Sequence, residues 1–579
     1  MNRLCLISDF TCDSLGNLLA NDRDYPSLDV KCAPFDRVIP SMMSLAEGTG
    51  DEPAPDAILV WTRPEAVIGQ YQLLIGGEPV DSEALLAEVE RFAAQLCGVA
   101  AKGIQVLVAS WTRPLHQRGL GLSDWDARTG SAFMLSNMNL HLAQSLDSAQ
   151  GVHMLDAGRW IFPVGIRGSN IKRWYLAKVL YSTEVLQNAV REVKAALATV
   201  LQGPRKLIVV DLDNTLWGGV VGDDGKENLV LGGHDPTGEA FVDFQRHLMA
   251  LHKRGIMLAV ASKNESSVAL DAIDTHPEMI LRREHFLAWR IDWGDKARNI
   301  RELVKSLNLG LQSCVFLDDN AFERARVREV LPEVLVPELP ESPMLRPSFL
   351  ESLTCFDSAK LTSEDRERHS MYVAKGAREQ AMSQADDLAS WLASLELTVE
   401  ASPISDVNRA RAVQLLNKTN QMNLTTRRLS ESAFTAWLKE GDRTCWTFRI
   451  RDRFGNSGLT ALASLEMLDK QVRLVDFVVS CRVFERGVEE AMLHWIARKS
   501  GSAGSLRATY RPTEKNRPCL RFWQDRSGFR DETAGEEDDI SFIWDLSEPY
   551  PCPSHLKVLD GSSLPTDGAG DPELPAKET

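Results

Sequence analysis

Four things are missing from this 579-residue sequence, and each absence closes off a class of function. The 10 cysteines never form a CxxC pair and are scattered through a long chain. That excludes a zinc knuckle or a disulfide framework and implies reduced thiols, as in the cytoplasm. No stretch of ~18 apolar residues occurs, so no membrane span is expected. A surplus of basic charge is also missing: the net charge is −16, whereas general nucleic-acid binding needs a basic footprint. The opening "MNRLCLISDF" has a short apolar run but no small-residue cleavage site, so no signal peptide is expected. What remains is a globular composition, 44% hydrophobic and 25% charged, long enough for about three or four domains. The expectation is a soluble, cytoplasmic multidomain protein with no nucleic-acid or membrane partner.

Along the chain, strand-like runs alternate with helix-like ones. Residues 1–190 contain "RLCLIS", "DAILVW", "IQVLVAS" and "GVHMLDA", interleaved with helical patterns such as "SEALLAEVERFAAQLCGVAAKG". This alternation predicts a parallel sheet with helices on its faces. A helix at 181–201 leads into a second α/β unit over 200–345. It begins with "KLIVV" and continues with a helix whose Phe241, Phe244, Leu248 and Leu251 share one side. Pro337, Pro340 and Pro343 mark its end. A helical connector over 346–395, a third α/β domain over 396–550 and a disordered tail over 551–579 complete the expected layout. The fold class is thus α/β, with three α/β domains around a central parallel sheet.

In the second unit, each strand that ends in a polar residue offers a piece of phosphate chemistry. "IVVDLDNTLWGG" ends a buried strand with Asp211 and Asp213, two positions apart and expected on one face. Two like charges there need a cation between them or a shared proton. The alternative is a solvated turn in which Asp213-Asn214 caps the next element. "AVASKN" supplies Ser262, "DKARNIREL" opens on Lys296, and "FLDDN" supplies Asp318 and Asp319. The carboxyl ends of strands in a doubly wound sheet line one crevice, so these groups can converge. A triad of Asp211, Asp213 and Asp318, with Asp319 beside it, suits a hard cation such as Mg²⁺. Ser262 and Lys296 suit phosphoryl oxygens, and Thr215, Asn264 and Asn320 are neighbouring candidates for substrate contacts. About 50 residues separate Asp213 from Ser262 and 22 separate Lys296 from Asp318, too few for a large cap domain. The crevice is therefore expected to be open, which fits a bulky or carrier-bound substrate.

DxDxT followed in order by serine, lysine and DD resembles the haloacid dehalogenase (HAD) phosphotransferase superfamily. That likeness implies Asp211 as nucleophile and Asp213 as general acid/base. "DLDNTLWGGVVGDDG", "FLDDNAFERARVREVLPEVLVPELP", "NKTNQMNLTTRR" and "SCRVFERGVEEAML" together resemble the FkbH-like proteins of polyketide pathways over roughly 160–530. The first 190 residues are similar to an SGNH-hydrolase-like domain. The resemblance implies an enzyme that takes 1,3-bisphosphoglycerate, removes phosphate and loads the glyceryl unit on an acyl carrier protein (ACP) as a thioester on its phosphopantetheine arm. Rival readings are a HAD phosphatase fused to an acyltransferase for another phosphorylated acid, and a carrier-binding scaffold.

The departures shape the remaining expectations. The residue before Ser262 is Ala261, where related proteins often carry cysteine, so an acyl-enzyme would need another thiol. The third domain resembles the GNAT acyltransferase fold, and Cys481, after "RLVDFVVS", is placed where a splayed strand end and a helix N-terminus would receive a thiol arm. Its alternative is a packing residue beside Phe477 and Val479; Cys314 is expected in the core. Glu485 in "RVFERG" stands at a glycine position of the coenzyme A loop and argues against that cofactor. Arg427, Arg428 and Lys515-Asn516 are candidates for substrate or an acidic carrier, or else solvated loops. In the first domain Ser8 and Ser14 are the possible serines. Asp156 has no histidine three residues on, so a non-hydrolytic docking or shielding module is expected.

Overall fold

The computed structural model describes residues 2–49, 53–113, 118–147, 149–233, 235–358, 368–383, 385, 387–468, 470–501, 503–532 and 539–561. They divide into two compact units. One comprises residues up to 361 apart from 253–257 and 284–287; the other comprises the rest. No helix among them is long and apolar enough to cross a membrane.

The first unit holds two α/β sheets. Strands β1 (Asn2–Ser8), β2 (Leu28–Cys32), β3 (Ala57–Trp61), β4 (Gln105–Ala109) and β5 (Val152–Leu155) form a five-stranded sheet in the order β2-β1-β3-β4-β5. Every pairing is parallel. Its central strands read as unbroken apolar runs because helices cover both faces: Val89, Phe92 and Leu96 of the helix Ser82–Ala100 are buried on one core, Val185, Val190 and Val193 of Thr183–Gln202 on another.

The second sheet comprises β6 (Leu207–Val210), β7 (Met257–Ser262), β8 (Phe286–Ile291) and β9 (Cys314–Leu317), ordered β8-β7-β6-β9. The helix Pro236–Lys253 buries Phe241, Phe244, Leu248 and Leu251, the four residues its periodicity selects. The expected end of this unit moves: 346–358 is not connector. Arg346, Leu350 and Phe356 are buried, and Arg205 N–H donates to Cys355 O at 2.8 Å, tying this stretch to the start of β6. Residues 359–367 of the expected connector lie outside the described residues.

The second unit is built on an eight-stranded mixed sheet. Its strands are β10 (Leu397–Pro403), β11 (Arg443–Asp452), β12 (Gly455–Leu468), β13 (Gln471–Val479), β14 (Ser505–Tyr510), β15 (Arg530–Asp531), β16 (Ile540–Asp545) and β17 (Leu556–Asp560). β17 corrects the expected tail. "LKVLD" pairs parallel with β10, Leu397 opposite Leu556, and Leu556 is buried. Five alternating residues after a proline-rich stretch are enough for an edge strand. The rest of the expected tail, 562–579, lies outside the described residues. The helix Arg368–Ser383 joins this unit through Arg378, whose buried guanidinium clasps Asp452 at 2.5 and 2.9 Å.

Candidate active site

The site is assembled where the second sheet runs out of strand. Four consecutive apolar residues make β6 a buried strand, and Asp211 is the first residue beyond it, its N–H still bonded to Leu317 O of β9 at 3.0 Å. Asn214 then turns the chain at φ +54°, a left-handed conformation that asparagine tolerates better than most residues. β7 delivers Ser262. Lys296 opens the helix Lys296–Ser306, whose start is fixed by the Asp295 carboxylate accepting from Arg298 N–H at 2.9 Å. β9 ends at Leu317 and delivers Asp318 and Asp319.

Asp211, Asp318 and Asp319 each bring a carboxylate oxygen within 4.8 Å of the others, and the first two are buried. Lys296 Nζ bridges Asp211 Oδ1 at 2.9 Å and Asp318 Oδ2 at 2.7 Å. Three carboxylates against one ammonium leave a surplus of negative charge in a poorly solvated place. Burial accordingly pushes Asp211 up to about 6 despite Lys296 beside it, and raises Asp318 and Asp319 as well. Burial alone would lower Lys296, but the charges of Asp211 and Asp318 outweigh it and hold the ammonium protonated. Three hard oxygen donors with excess charge and little water are a fit for a divalent cation such as Mg²⁺.

Asp213 is not part of this cluster, contrary to the expected triad. Its Oδ1 accepts from Trp217 Nε1 at 2.9 Å and Val221 N–H at 3.1 Å, and its Oδ2 from Asn264 Nδ2 at 2.9 Å. The strand has already ended, so the alternation that would put positions 211 and 213 on one face no longer applies. Asn264 links this carboxylate to Ser262 Oγ at 3.1 Å. Thr215 Oγ1 accepts from Asp319 N–H at 3.1 Å and lies 3.3 Å from Asp319 Oδ1. Asn320 N–H donates to Asp318 Oδ1 at 2.8 Å, while its side-chain Oδ1 caps the helix Ala321–Val330 by accepting from Phe322 N–H at 2.9 Å. Thr215 and Asn320 therefore set carboxylates in place through bonds of their own.

Arg346 is the site residue that sequence reasoning missed. It is buried, donates from Nη1 to Asn214 O at 2.5 Å and from Nε to Pro340 O at 3.0 Å, and lies close enough to Asp319 to act on its charge. It comes from 132 residues beyond its partner, and no local pattern marks it. Arg324 adds a second clamp, donating to the backbone oxygens of Asp318 at 2.9 Å and Asp319 at 2.7 Å.

Cys481, Arg427, Arg428 and Lys515 belong to the second unit. Cys481 is exposed in the turn after β13, which rules out the packing alternative; Cys314 is buried in β9, as expected, and burial pushes its thiol up to about 12. Arg427 is committed to buried Asp476 at 2.5 and 3.2 Å and stacks over Trp437 at 4.5 Å. Arg428 donates to Leu416 O at 2.5 Å, at the end of the helix Asp406–Lys418, and to Asn420 Oδ1. Both arginines thus hold their own loop, against the expectation that they bind substrate. Lys515 is exposed, whereas buried Asn516 organises its loop through Tyr510, Thr513, Asn423 and Arg511.

β13 and β14 pair only from Gln471↔Ser505 to Leu474↔Ala508, then part. The gap is filled from within: Leu424 N–H donates to Phe477 O at 3.1 Å, Val479 N–H to Met422 O at 3.0 Å, and Arg511 N–H to Leu424 O at 3.0 Å. The splayed strand end expected to receive a thiol arm is thus bridged by the chain's own backbone. The helix Val488–Lys499 is treated likewise. Glu485, at φ +64°, donates its N–H to the carboxyl group of buried Glu489 at 2.9 Å, so an internal acidic side chain, pushed up to about 7 by burial, occupies the first turn.

An α/β chain with acidic strand ends gathered around a buried lysine is the class these observations define, and the comparison of structures agrees with it. The chain is similar to the N-terminal part of the protein BF1531 from Bacteroides fragilis, which contains a phosphatase domain and was crystallised with Mg. The two are 26% identical with a TM-score of 0.54, over 62% of this chain and 94% of that one. Weaker likenesses reach the ribosomal-protein-S18-alanine N-acetyltransferase of Escherichia coli (16% identity, TM-score 0.20, 29% of this chain and 99% of that one) and a Bacillus subtilis acetyltransferase in complex with CoA (14%, 0.19, 26% and 98%). No family model and no curated protein matches the chain.

Proposed function

We propose that the chain is a HAD-type, Mg²⁺-dependent phosphatase or phosphotransferase. Its substrate on this reading is a phosphorylated acid such as 1,3-bisphosphoglycerate, whose acyl unit it passes to the phosphopantetheine thiol of an acyl carrier protein. The observation that carries the phosphatase part is the gathering of Asp211, Asp318 and Asp319 around Lys296 at the carboxyl ends of one sheet. The similar Bacteroides protein, with its phosphatase domain and Mg, supports it.

Asp211, Asp318 and Asp319 are the residues that would hold Mg²⁺, which when bound supplies a Lewis acid for phosphoryl oxygens. Asp211 is the nucleophile. Its carboxylate oxygen bonds to phosphorus as the phosphorus–oxygen bond to the leaving group breaks, and the electron pair leaves with that oxygen. Asp213, oriented by Trp217, Val221 and Asn264, gives the leaving oxygen its proton. It takes one back from the water that then attacks phosphorus and frees Asp211. Ser262 and Lys296 hold the remaining phosphoryl oxygens. Loading consumes the second phosphate: the Cys481 thiol attacks the acyl carbonyl, a carbon–sulfur bond forms, and phosphate departs from the mixed anhydride with the thiol's proton. The thiol of the carrier arm then attacks that thioester, and Cys481 leaves as its thiol. The internally filled gap and helix end of the second unit favour a carrier-borne arm meeting exposed Cys481 over bound coenzyme A.

Intact-mass measurement of a holo carrier protein incubated with the enzyme, Mg²⁺ and bisphosphoglycerate tests the whole reading. A mass gain of one glyceryl unit is expected, with phosphate release. Cys481→Ser is expected to slow loading, and the phosphate that loading expels, severely, while leaving carrier-independent phosphate release at the Asp211 site near the wild-type rate. A carrier that never gains mass overturns the transfer; normal loading by the serine variant removes Cys481 from it.

A further inference from the structure

Residues 157–182 contain five cations, Arg159, Arg167, Lys172, Arg173 and Lys178, and no acidic residue, in a chain whose net charge is −16. The segment folds as three short turns of helix: Gly158–Ile161, Gly165–Gly168 and Ile171–Ala177. One side is anchored. Trp160, Ile161, Val164 and Leu180 are buried in the core between the first sheet and the helix Thr183–Gln202, and Ser182 N–H bonds Gly168 O at 2.9 Å. The other side is open. Phe162, Ile166, Ile171, Tyr175 and Leu176 are 45–76% exposed, and the helix Ile171–Ala177 has no buried residue at all. All five cations are exposed as well. Arg159 lies 3.6 Å from Glu192, and Lys178 sits over Trp174, which Arg63 covers on its own account at 4.2 Å. Arg167, Lys172 and Arg173 form no ion pair among the described residues.

Scattered surface leucines need no explanation, but five large apolar side chains within fifteen residues, interleaved with cations alone, form an amphipathic patch. We propose that this patch is the docking surface for the acidic carrier protein, which rests on the carrier-loading reading given above. Charge complementarity selects the partner: the patch is the opposite sign from the molecule that bears it and from an acidic carrier, so it can draw that partner to one place on a chain that otherwise repels it. The exposed rings and aliphatic chains then supply the apolar centre that holds the encounter. A membrane surface is the poorer occupant, because the helical pieces are four to seven residues long and broken by Gly165 at φ +62°, not one continuous amphipathic helix.

The test uses the full chain, Mg²⁺, bisphosphoglycerate and a panel of holo acyl carrier proteins, with two variants. Arg167→Gln/Lys172→Gln/Arg173→Gln removes the charge, and Phe162→Ser/Tyr175→Ser/Leu176→Ser removes the apolar centre. Each is expected to raise the carrier KM about tenfold or more while carrier-independent phosphate release stays at the wild-type rate. Raising salt from about 0.05 to about 0.5 M is expected to raise the wild-type KM steeply and that of the charge variant little. Carrier loading with an unchanged KM in both variants overturns the docking surface and leaves the transfer reading standing. Failure of every carrier to be loaded by the wild type overturns the transfer reading and the surface with it. Binding of the wild type to anionic lipid vesicles, or self-association in sedimentation, that the variants lose while carrier KM is unchanged assigns the patch to a membrane or to a second copy.

Discussion

The two parallel sheets of the first unit end in different arrangements of charge. At the carboxyl ends of the five-stranded sheet, buried Asp9 follows β1 and Arg63 follows β3, where the strand order changes direction. The Asp9 carboxylate accepts from Arg63 Nε at 2.6 Å and from Arg63 N–H at 2.9 Å, and the same guanidinium reaches Glu65 Oε1 at 3.2 Å, so one arginine clasps two carboxylates. Ser8 Oγ accepts from Phe10 N–H at 3.2 Å, and Asp156 from Gly158 N–H at 2.9 Å. At the carboxyl ends of the four-stranded sheet, by contrast, three carboxylates share one lysine. Strand-end crevices are places where ligands can bind, but topology supplies only the place. Three carboxylate oxygens converging within 4.8 Å are what ask for a cation, and among the described residues only the second sheet gathers them.

The largest effect that separates the two is catalytic. Asp211→Asn is expected to cut phosphate release by about 100-fold or more with unchanged circular dichroism, since the amide keeps the shape but loses the nucleophilic charge. Asp9→Asn is expected to leave phosphate release within about twofold of wild type, its cost appearing in thermal stability alone. Equal losses of activity in the two variants would break the distinction.

Removing the cations probes the same contrast through stability. Lys296→Met strands Asp211 and Asp318, and Arg63→Met strands Asp9 and Glu65; breaking one side of a buried pair costs about 3 kcal/mol or more, somewhat less where the arginine is partly solvated. Denaturant unfolding is expected to find both losses. Millimolar Mg²⁺ is expected to recover much of the first and none of the second, because only the first site retains several converging carboxylates. Rescue of Arg63→Met by Mg²⁺ would show that the first sheet also holds a metal site.

The sequence made the elements more legible than the side chains at their ends. Periodicity picked out the buried face of Pro236–Lys253, and apolar runs located β6, β7 and β9. Asp211, Ser262, Lys296 and Asp318 were readable because each opens or closes an element or directly follows a strand. Asp213 was misplaced because alternation was carried past Val210, where the strand stops. Arg346 was invisible because it is recruited across 132 residues from beyond a proline-rich boundary. Arg427 and Arg428 looked available because sequence shows a charge without its partner, and buried Asp476 lies 49 residues away. Long-range pairing is what one-dimensional patterning cannot express.

The smallest effect is also the one whose sign is least intuitive. Burial lifts Asp211 from its ordinary value of 3.8 to about 6, and raises Asp318 and Asp319 in the same direction. A raised carboxylate means that the folded state binds protons more tightly than the unfolded one, so stability falls as pH rises through this window. Metal-free protein is therefore expected to lose a few degrees of Tm between about pH 4 and about pH 6 on account of this cluster. Cation binding needs the deprotonated carboxylates, so the gain in Tm on adding Mg²⁺ is expected to grow over that same interval and level off above it. Asp319→Asn removes one of the repelling charges, and is expected to raise the metal-free Tm at pH 7 slightly while shrinking the Mg²⁺-induced gain. Differential scanning calorimetry with and without EDTA measures both quantities. A variant with a lower metal-free Tm and an undiminished Mg²⁺ response would mean that Asp319 is a structural partner of Thr215 and Arg346, and that the cation is held by other groups.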